Sequence, residues 1–466
     1  MLVVEFKSHR EVIELRKYFV KRVVFPLMEK VKGNRIRHYL RELQDSERYD
    51  ADQIRSLQME KLQRLLIHCL KNVPAYKELA GLLTTVERDP HRALEGFPVL
   101  TKSHFVRHAD RYLSDNSDKS ELIANRTGGS TGEPVHFYLD RVTVEYYEAA
   151  RWRGLSWWGI ELSDPSVMIW GAPLELSKNQ SLIYRLKERF LKNRIIIPAY
   201  GLDPRQISHY VRLIESFAPE YLYGYASALS AFASLLGEHN LRIKRPLKGV
   251  VSTAETLFDE QRAVIERYLG GPVINEYGAR DGGIIAFQCP SGSMHISEEN
   301  LILEIIDMQT GKRVEDGRSG LVAVTDLNNY SMPRIRYLLG DVASLSPERC
   351  PCGRSLRTLK RIEGRVDDLF LSLDGKIVHG HYWNHIARNM KGIRQFQLIQ
   401  HDPENVTLKV VKSELFDSSE VKQFLEKIED VLGPVRVNLI YCDSLEPSPS
   451  GKIRYARREF PLPSRR

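Results

Sequence analysis

The chain predicts an α/β protein that carries a smaller α+β unit at its C-terminal end. Three observations support this. Between about residues 95 and 345, short apolar runs alternate with helical stretches, the pattern of α/β architecture. From Asp367 onward the pattern changes to a hairpin signal, an alternating strand and one amphipathic helix. Inside the α/β region lies Arg126-Thr127-Gly128-Gly129-Ser130-Thr131-Gly132-Glu133-Pro134, a run of glycines and hydroxyls that leads into Val135, Phe137 and Leu139, which alternate as a strand.

Length and composition set the outer limits. A chain of 466 residues is too long for one core, so more than one domain is expected. Hydrophobic content of 42% and charged content of 27% are ordinary globular values and exclude a disordered chain. No run of about 18 apolar residues is present, so no membrane-spanning helix is expected. The start, Met1-Leu2-Val3-Val4-Glu5-Phe6-Lys7, lacks the apolar core of a signal peptide. Five cysteines, an odd number, point to a reducing, cytoplasmic location rather than a disulfide framework. The net charge of +8 permits an anionic partner and demands none. The basic residues are spread along the chain and offset by 60 acidic ones, which argues against a nucleic-acid binder.

Residues 1 to about 80 predict helices. Val12, Leu15, Phe19, Val23 and Leu27 recur at helical spacing, with Arg16, Lys17, Lys21 and Arg22 on other faces. Pro26 is expected to break or kink this helix. A basic amphipathic segment can associate peripherally with an anionic membrane surface. Packing against its own domain is the reading the sequence favours. A second helix carries Leu57, Leu62, Leu65, Leu66 and Cys69 on its apolar side, which places Cys69 in a core. Buried strands are expected at Val167-Met168-Ile169-Trp170, Ile195-Ile196-Ile197, Tyr221-Leu222-Tyr223 and Gly249-Val250-Val251. Helices are expected from Asp203 through Phe217 and from Phe258 through Leu269. In the C-terminal unit, Asp374-Gly375 marks a hairpin between Leu369-Phe370-Leu371 and Ile377-Val378. Val406, Leu408 and Val410 alternate as a half-buried strand, and Cys442 lies on an apparent strand and is expected to be buried. Val421, Phe424, Leu425, Ile428 and Leu432 form a helix face that Gly433-Pro434 ends.

Several stretches carry chemistry. The Gly/Ser/Thr run can fold its N–H groups and hydroxyls around phosphate oxygens, because glycine lets the backbone approach closely. It is not a Walker loop, since Glu133 rather than lysine follows Gly132. A flexible surface loop remains the alternative. Asn275-Glu276-Tyr277-Gly278-Ala279-Arg280-Asp281 places an aromatic, a turn glycine and a carboxylate together. The aromatic can stack on a base, and the carboxylate can hold a magnesium ion that bridges phosphates. Leu339-Gly340-Asp341 ends in a Gly-Asp suited to ribose hydroxyls, Gly364-Arg365-Val366-Asp367 falls where the pattern changes, and Ser450-Gly451-Lys452 exposes a lysine on a loop. The alternative for Lys452 is a solvated lysine in a basic tail, since Arg454, Arg457 and Arg458 follow.

In this order, these motifs resemble the adenylate-forming superfamily, and within it the phenylacetate-CoA ligases and CapK-type capsular-polysaccharide proteins. Phe97-Pro98-Val99-Leu100-Thr101-Lys102 also resembles the lead-in to the phosphate loop of that branch, so the resemblance covers nearly the whole chain. It implies a large N-terminal domain over 1–366, with mixed sheets, flanking helices and a helical lead-in over 1–80. A small mobile α+β lid would occupy 367–466, with Asp367 as hinge. The resemblance also implies an adenylating ligase that uses ATP and Mg2+. Thr127, Gly128, Gly129, Ser130, Thr131 and Gly132 would hold the β- and γ-phosphates. Ala254 and Glu255 would border the adenine, and Tyr277, beside Gly278, would stack on it. Asp281 would bind magnesium in place of the family's glutamate, one methylene shorter. Asp341 would bind the ribose with Arg365 nearby, and Lys452 would contact the substrate carboxylate and α-phosphate.

Cys289 and His295, followed by Cys350-Pro351-Cys352, offer three thiolates and an imidazole, a closed tetrahedral set for structural Zn2+. Three free thiols and a surface histidine are the alternative. Some phenylacetate-CoA-ligase-like proteins carry a similar arrangement, which favours zinc. One departure concerns the acceptor: the expected glycine-rich loop after the hinge is here the plain hairpin from Leu369 to Gly380. The acyl acceptor is therefore left open among CoA, a carrier-protein thiol and a sugar amine, and the acid being activated is not identified. Tyr221, Tyr223 and Tyr225 either line the acid pocket or belong to the core. The function expected is carboxylate adenylation followed by acyl transfer, in the setting of surface-polysaccharide assembly. A nucleotide-binding scaffold that has lost turnover is the rival.

Overall fold

The computed structural model describes residues 15–126, 135–170, 182–199, 204–307, 310–387, 390–446 and 454–460. The glycine-rich run 127–132 and Lys452 lie outside them. Nineteen strands are present among the described residues, and two of them form a hairpin, β1 (Ile123–Arg126) with β2 (His136–Leu139). The main sheet takes the next eleven: β3 (Ser166–Trp170), β4 (Arg194–Pro198), β5 (Tyr221–Tyr225), β6 (Gly249–Thr253), β7 (Val273–Ala279), β8 (Gly283–Gln288), β9 (Met294–Ile296), β10 (Leu301–Ile306), β11 (Ser319–Asp326), β12 (Tyr337–Leu345) and β13 (Thr358–Arg365). Their spatial order is β10-β11-β12-β13-β9-β8-β7-β6-β5-β3-β4. The C-terminal unit holds the hairpin β14 (Leu369–Leu371) and β15 (Ile377–His379). It also holds a four-stranded sheet in the order β18-β17-β16-β19, from β16 (Ile393–Gln400), β17 (Asn405–Lys412), β18 (Arg436–Cys442) and β19 (Ala456–Arg458).

Each of the four strands predicted for the parallel region is present, as β3, β4, β5 and β6. They are short β-branched or aromatic runs; β5 and β6 are buried throughout and β3 largely so, as helix-covered parallel strands require, whereas the edge strand β4 buries only Ile197. β3 to β7 pair in parallel, whereas β7 to β13 pair antiparallel, so the sheet changes character at β7. Five helices frame the site and its surroundings: α1 (Ala51–Asn72), α2 (Arg141–Ser156), α3 (Leu182–Leu191), α4 (Ile207–Phe217) and α5 (Ala226–Glu238). α1 begins at a reciprocal cap in which Asp50 accepts from the Gln53 N–H and Gln53 accepts from the Asp50 N–H. Of its predicted face, Leu62, Leu65, Leu66 and Cys69 are fully buried and Leu57 is half-buried. Gly375, at φ +82°, makes the turn between β14 and β15 that Asp374-Gly375 signals. α6 (Asp259–Tyr268) lies within the span expected of it, and α7 (Ser418–Leu432) buries Val421, Phe424, Ile428 and Leu432 of its expected face, with Leu425 half-buried.

Three expectations need correction. The N-terminal stripe does not pack on its own domain: Leu15, Phe19, Val23 and Leu27 are exposed, and Val20, Val24 and Glu29 face inward instead. Pro26 does not end the helix. A π-helical turn, Val20–Val24, precedes Phe25–Lys32, and Pro26 sits in the first turn of that segment, where its missing N–H is tolerated. Cys442 is half-buried, because β18 is an edge strand. Among the described residues, no helix is long and apolar enough to cross a membrane.

α2 is locked to the main sheet by a buried ion pair. Arg153 donates to Glu299, both inaccessible, and the Ser46 hydroxyl donates to the same carboxylate at 2.7 Å. Gly283, at φ +72°, lies so close to the Tyr147 ring of α2 that a Cβ there would collide with it. Removing one partner of such a pair strands a buried charge. Glu299→Ala should therefore lower unfolding free energy by about 3–5 kcal/mol, as measured by denaturant unfolding.

Candidate active site

A cavity of about 960 Å³ opens at the carboxyl ends of the parallel strands. Trp170, Tyr225, Thr253 and Ala279, the last residues of β3, β5, β6 and β7, all line it. Open α/β sheets place ligand crevices there because adjacent crossovers diverge at the strand ends. The space is ample for a nucleotide with a second small molecule.

The sequence-predicted residues Ala254, Glu255, Tyr277, Gly278, Asp281, Asp341 and Arg365 converge on this cavity. Register accounts for one cluster: Asp341 on β12 is the cross-strand neighbour of Arg365 on β13. The Tyr277 hydroxyl donates to Asp341 Oδ2 at 2.8 Å, while Arg365 Nη1 lies 3.4 Å from Oδ1. Burial holds the Tyr277 pKa well above its usual value, so the hydroxyl remains a donor. Asp281 is buried and its Oδ2 accepts from the Tyr337 hydroxyl at 2.9 Å. Ala254 adopts a left-handed conformation, φ +65°, which costs an alanine roughly 1–2 kcal/mol. That turn directs Glu255 toward the first turn of α5, where its carboxylate accepts the Ser227 N–H at 2.8 Å.

The two motifs outside the described residues are bracketed by residues that are described. Asn125 and Leu139, on the arms of the β1–β2 hairpin that encloses 127–132, line the cavity. So do Arg454, Tyr455 and Ala456, which follow Lys452. Arg454 pairs with Asp368, its Nε 3.2 Å from Oδ1, beside Asp367. Asp367 itself lies on the short turn Val366–Asp368 that follows β13.

One charged network was not anticipated. Glu276 on β7 is buried and accepts from Tyr223 at 2.6 Å, Thr253 at 2.8 Å and Arg151 Nε at 3.2 Å. Arg151 Nη1 also donates to Glu148 at 3.0 Å. These groups line the same cavity beside Trp170 and Tyr225, whose ring centroids are 4.1 Å apart. Tyr223 and Tyr225 thus reach the cavity, whereas Tyr221 packs in a core cluster. The sequence signal was Glu276 itself, a carboxylate inside a strand that begins Val273-Ile274, but its cation stands 125 positions away on α2.

A second cluster lies apart from the cavity, where β8, β9 and the loop before β13 meet. The Sγ atoms of Cys289, Cys350 and Cys352 and a ring nitrogen of His295 all lie within 4.8 Å of one another. Cys289 Sγ is 3.6 Å from Cys350 Sγ, and Cys352 Sγ is 3.2 Å from His295 Nε2. Tetrahedral zinc with Zn–S near 2.3 Å separates sulfurs by about 3.8 Å, so the donor set fits that ion. His295 Nδ1 lies 3.0 Å from the Leu356 carbonyl, a contact that as an N–H donor would leave Nε2 facing the thiols.

This fold is similar to that of solved acyl-CoA ligases. Similarity runs to 2-hydroxyisobutyryl-CoA ligase in its postadenylation state with 2-HIB-AMP, at TM-score 0.68 and 20% identity, covering 87% of this chain and 89% of that one. Within that fold the chain is a homologue of CapK and the phenylacetate-CoA ligases, and residues 370–459 match the CapK C-terminal domain. Protein CapK of Staphylococcus aureus is 23% identical over 444 residues, 91% of this chain and 93% of the relative. A phenylacetate-coenzyme A ligase of Thermus thermophilus is 27% identical over 335 residues, 69% of this chain and 72% of the relative. The resemblance drawn from the ordered motifs is borne out.

Arg151→Ala should leave Glu276 buried without its cation. Denaturant unfolding should then reveal a loss of about 3 kcal/mol or more.

Proposed function

We propose that the chain is an adenylate-forming ligase that activates a carboxylic acid with ATP. The products would be an acyl-adenylate and pyrophosphate, and the acyl group would then pass to an acceptor thiol, amine or hydroxyl. The observation that carries this reading is the cavity on which Tyr277, Asp341, Arg365, Asp281 and Glu255 converge, with the phosphate-loop hairpin and the residues after Lys452 on its border.

Attack of a carboxylate on the α-phosphorus brings two anions together. The site must therefore supply positive charge and alignment rather than a covalent nucleophile. Asp341 is oriented by Tyr277 and Arg365 to accept from ribose hydroxyls. The loop 127–132 would offer backbone N–H groups to the terminal phosphates. Bound Mg2+ would supply positive charge that offsets the phosphates. Asp281, a buried carboxylate of the cavity wall, would help to hold it. Lys452 would arrive with the C-terminal unit, so its charge is delivered only when that unit closes over the cavity.

CoA, a carrier-protein thiol and a sugar amine remain the acceptor classes, and surface-polysaccharide assembly is the setting that the CapK likeness supports. The Cys289, His295, Cys350 and Cys352 cluster would hold one structural zinc, closed to substrate because all four positions are filled by protein. Free thiols of this kind suit a reducing cytoplasm.

Acid-dependent exchange of pyrophosphate into ATP, screened across aliphatic, aromatic and hydroxylated acids, tests the reaction. Nucleotide binding without exchange on any acid would favour a scaffold instead. Lys452→Ala should lower exchange by roughly a hundredfold, about 3 kcal/mol, with ATP affinity little changed. Unaltered exchange would remove the role assigned to that lysine.

Metal analysis of purified protein should give about one zinc per chain, and Cys350→Ser should lower both metal content and melting temperature. A metal-free preparation that melts at the same temperature would refute the structural role.

A further inference from the structure

Two amphipathic helices outside the cavity leave their apolar sides in solvent. In the helical stretch from residue 15 to Lys32, Leu15, Phe19, Val23, Leu27 and Val31 recur every fourth position. All are exposed, Phe19 at 55% and Val31 at 78%. A four-residue repeat overshoots an α-helical turn and would wind around a regular helix. The wider π turn at Val20–Val24 takes up that overshoot and keeps the repeat on one side. In α3, Leu186 and Phe190, one turn apart, are also exposed, Phe190 at 60%.

The two helices meet at one residue. Arg16 from the first and Arg189 from the second stand over the Phe217 ring, 4.5 and 5.3 Å from its centroid. Their charges are arranged alike. The only acidic residue of the stretch 15–32 is Glu29, which is buried and paired with Arg37. The only acidic residue of α3 is Glu188, likewise buried and paired with Arg194 and Lys192. What each helix presents to solvent is therefore apolar or cationic, including Arg22, Lys30 and Lys32 on one and Arg185 and Lys187 on the other.

We propose that these two faces together form a docking surface for an anionic phospholipid bilayer. Apolar side chains of this kind enter the headgroup boundary while lysines and arginines reach the lipid phosphates. A second copy of the chain fits less well, because an isologous contact would set cations against cations. The surface holds the enzyme peripherally and leaves the cavity open to solutes. It does not depend on the adenylation reading.

The full-length chain is sedimented with vesicles of equimolar phosphatidylcholine and phosphatidylglycerol, and with phosphatidylcholine alone. Binding should occur on the anionic vesicles and fall as salt is added. Arg185→Glu with Lys187→Glu should weaken it by about tenfold or more. Phe19→Ser with Phe190→Ser should weaken it too. All four positions are exposed, so circular dichroism and melting should be unchanged and serve as the folding control. Absence of binding, equal binding to neutral vesicles, or indifference to both variant pairs would overturn the proposal. A vesicle-free dimer that Phe19→Ser dissolves would assign the surface to a second copy instead, which also overturns it.

Discussion

Strand β7 is bound in parallel to β6 on one side and antiparallel to β8 on the other, and the site is built on that change of direction. On the parallel side, every strand ends at the same edge of the sheet, so the chain must leave that edge in turns that diverge and leave a crevice. On the antiparallel side, β12 and β13 run past the crevice and supply a wall rather than a mouth. Tyr277 belongs to the first group, whereas Asp341 and Arg365 belong to the second. The Tyr277–Asp341 hydrogen bond therefore crosses the switch in topology, whereas Asp341 and Arg365 meet within the antiparallel half.

The carboxylates around the crevice are held without being neutralised to the same degree. Glu276 has a cation and two hydroxyl donors, so its charge is spent within the wall. Asp341 shares its arginine and tyrosine from the side and keeps contact with the cavity. Asp281 accepts from the neutral Tyr337 hydroxyl, with the buried Arg334 contributing charge at longer range. Buried carboxylates in a cavity wall are tolerated only if each is balanced by protein or by a cation. The gradient from Glu276 to Asp281 separates a carboxylate paired with a cation in the wall from one that a neutral hydroxyl engages.

Much of this was legible in the sequence because the signals were local. Buried parallel strands announce themselves as short β-branched runs, and the ordered motifs carry Tyr277, Asp341 and Arg365 without any need for tertiary information. The Arg151–Glu276 pair was not legible, since its partners lie on α2 and β7 and neither position signals the other. The N-terminal stripe was misassigned for a related reason. Helical periodicity reports that one face is apolar, but whether that face meets protein or solvent depends on what the rest of the chain places beside it. Here the neighbouring surface engages Arg16 and Lys17, through Phe217, Asp164 and Glu220, and not the leucines. The cysteine–histidine set was legible as chemistry, yet its position was not, because β9 and β13 become neighbours only in the folded sheet.

That position gives the cluster a mechanical meaning. β9 is three residues long and pairs with β13 through only Thr358 and Leu359. Such a short ladder holds little register by itself. The donor atoms of Cys289, His295, Cys350 and Cys352 come together from the end of β8, β9 and the loop leading into β13, so a zinc ion there would tie the start of β13 from three directions. The other end of β13 carries Gly364 and Arg365 into the turn Val366–Asp368, where Arg454 of the C-terminal unit reaches Asp368. A strand anchored at one end and leading into a turn at the other is a fixed arm. Such an arm would keep Arg365 and its contact with Asp341 in register with the cavity.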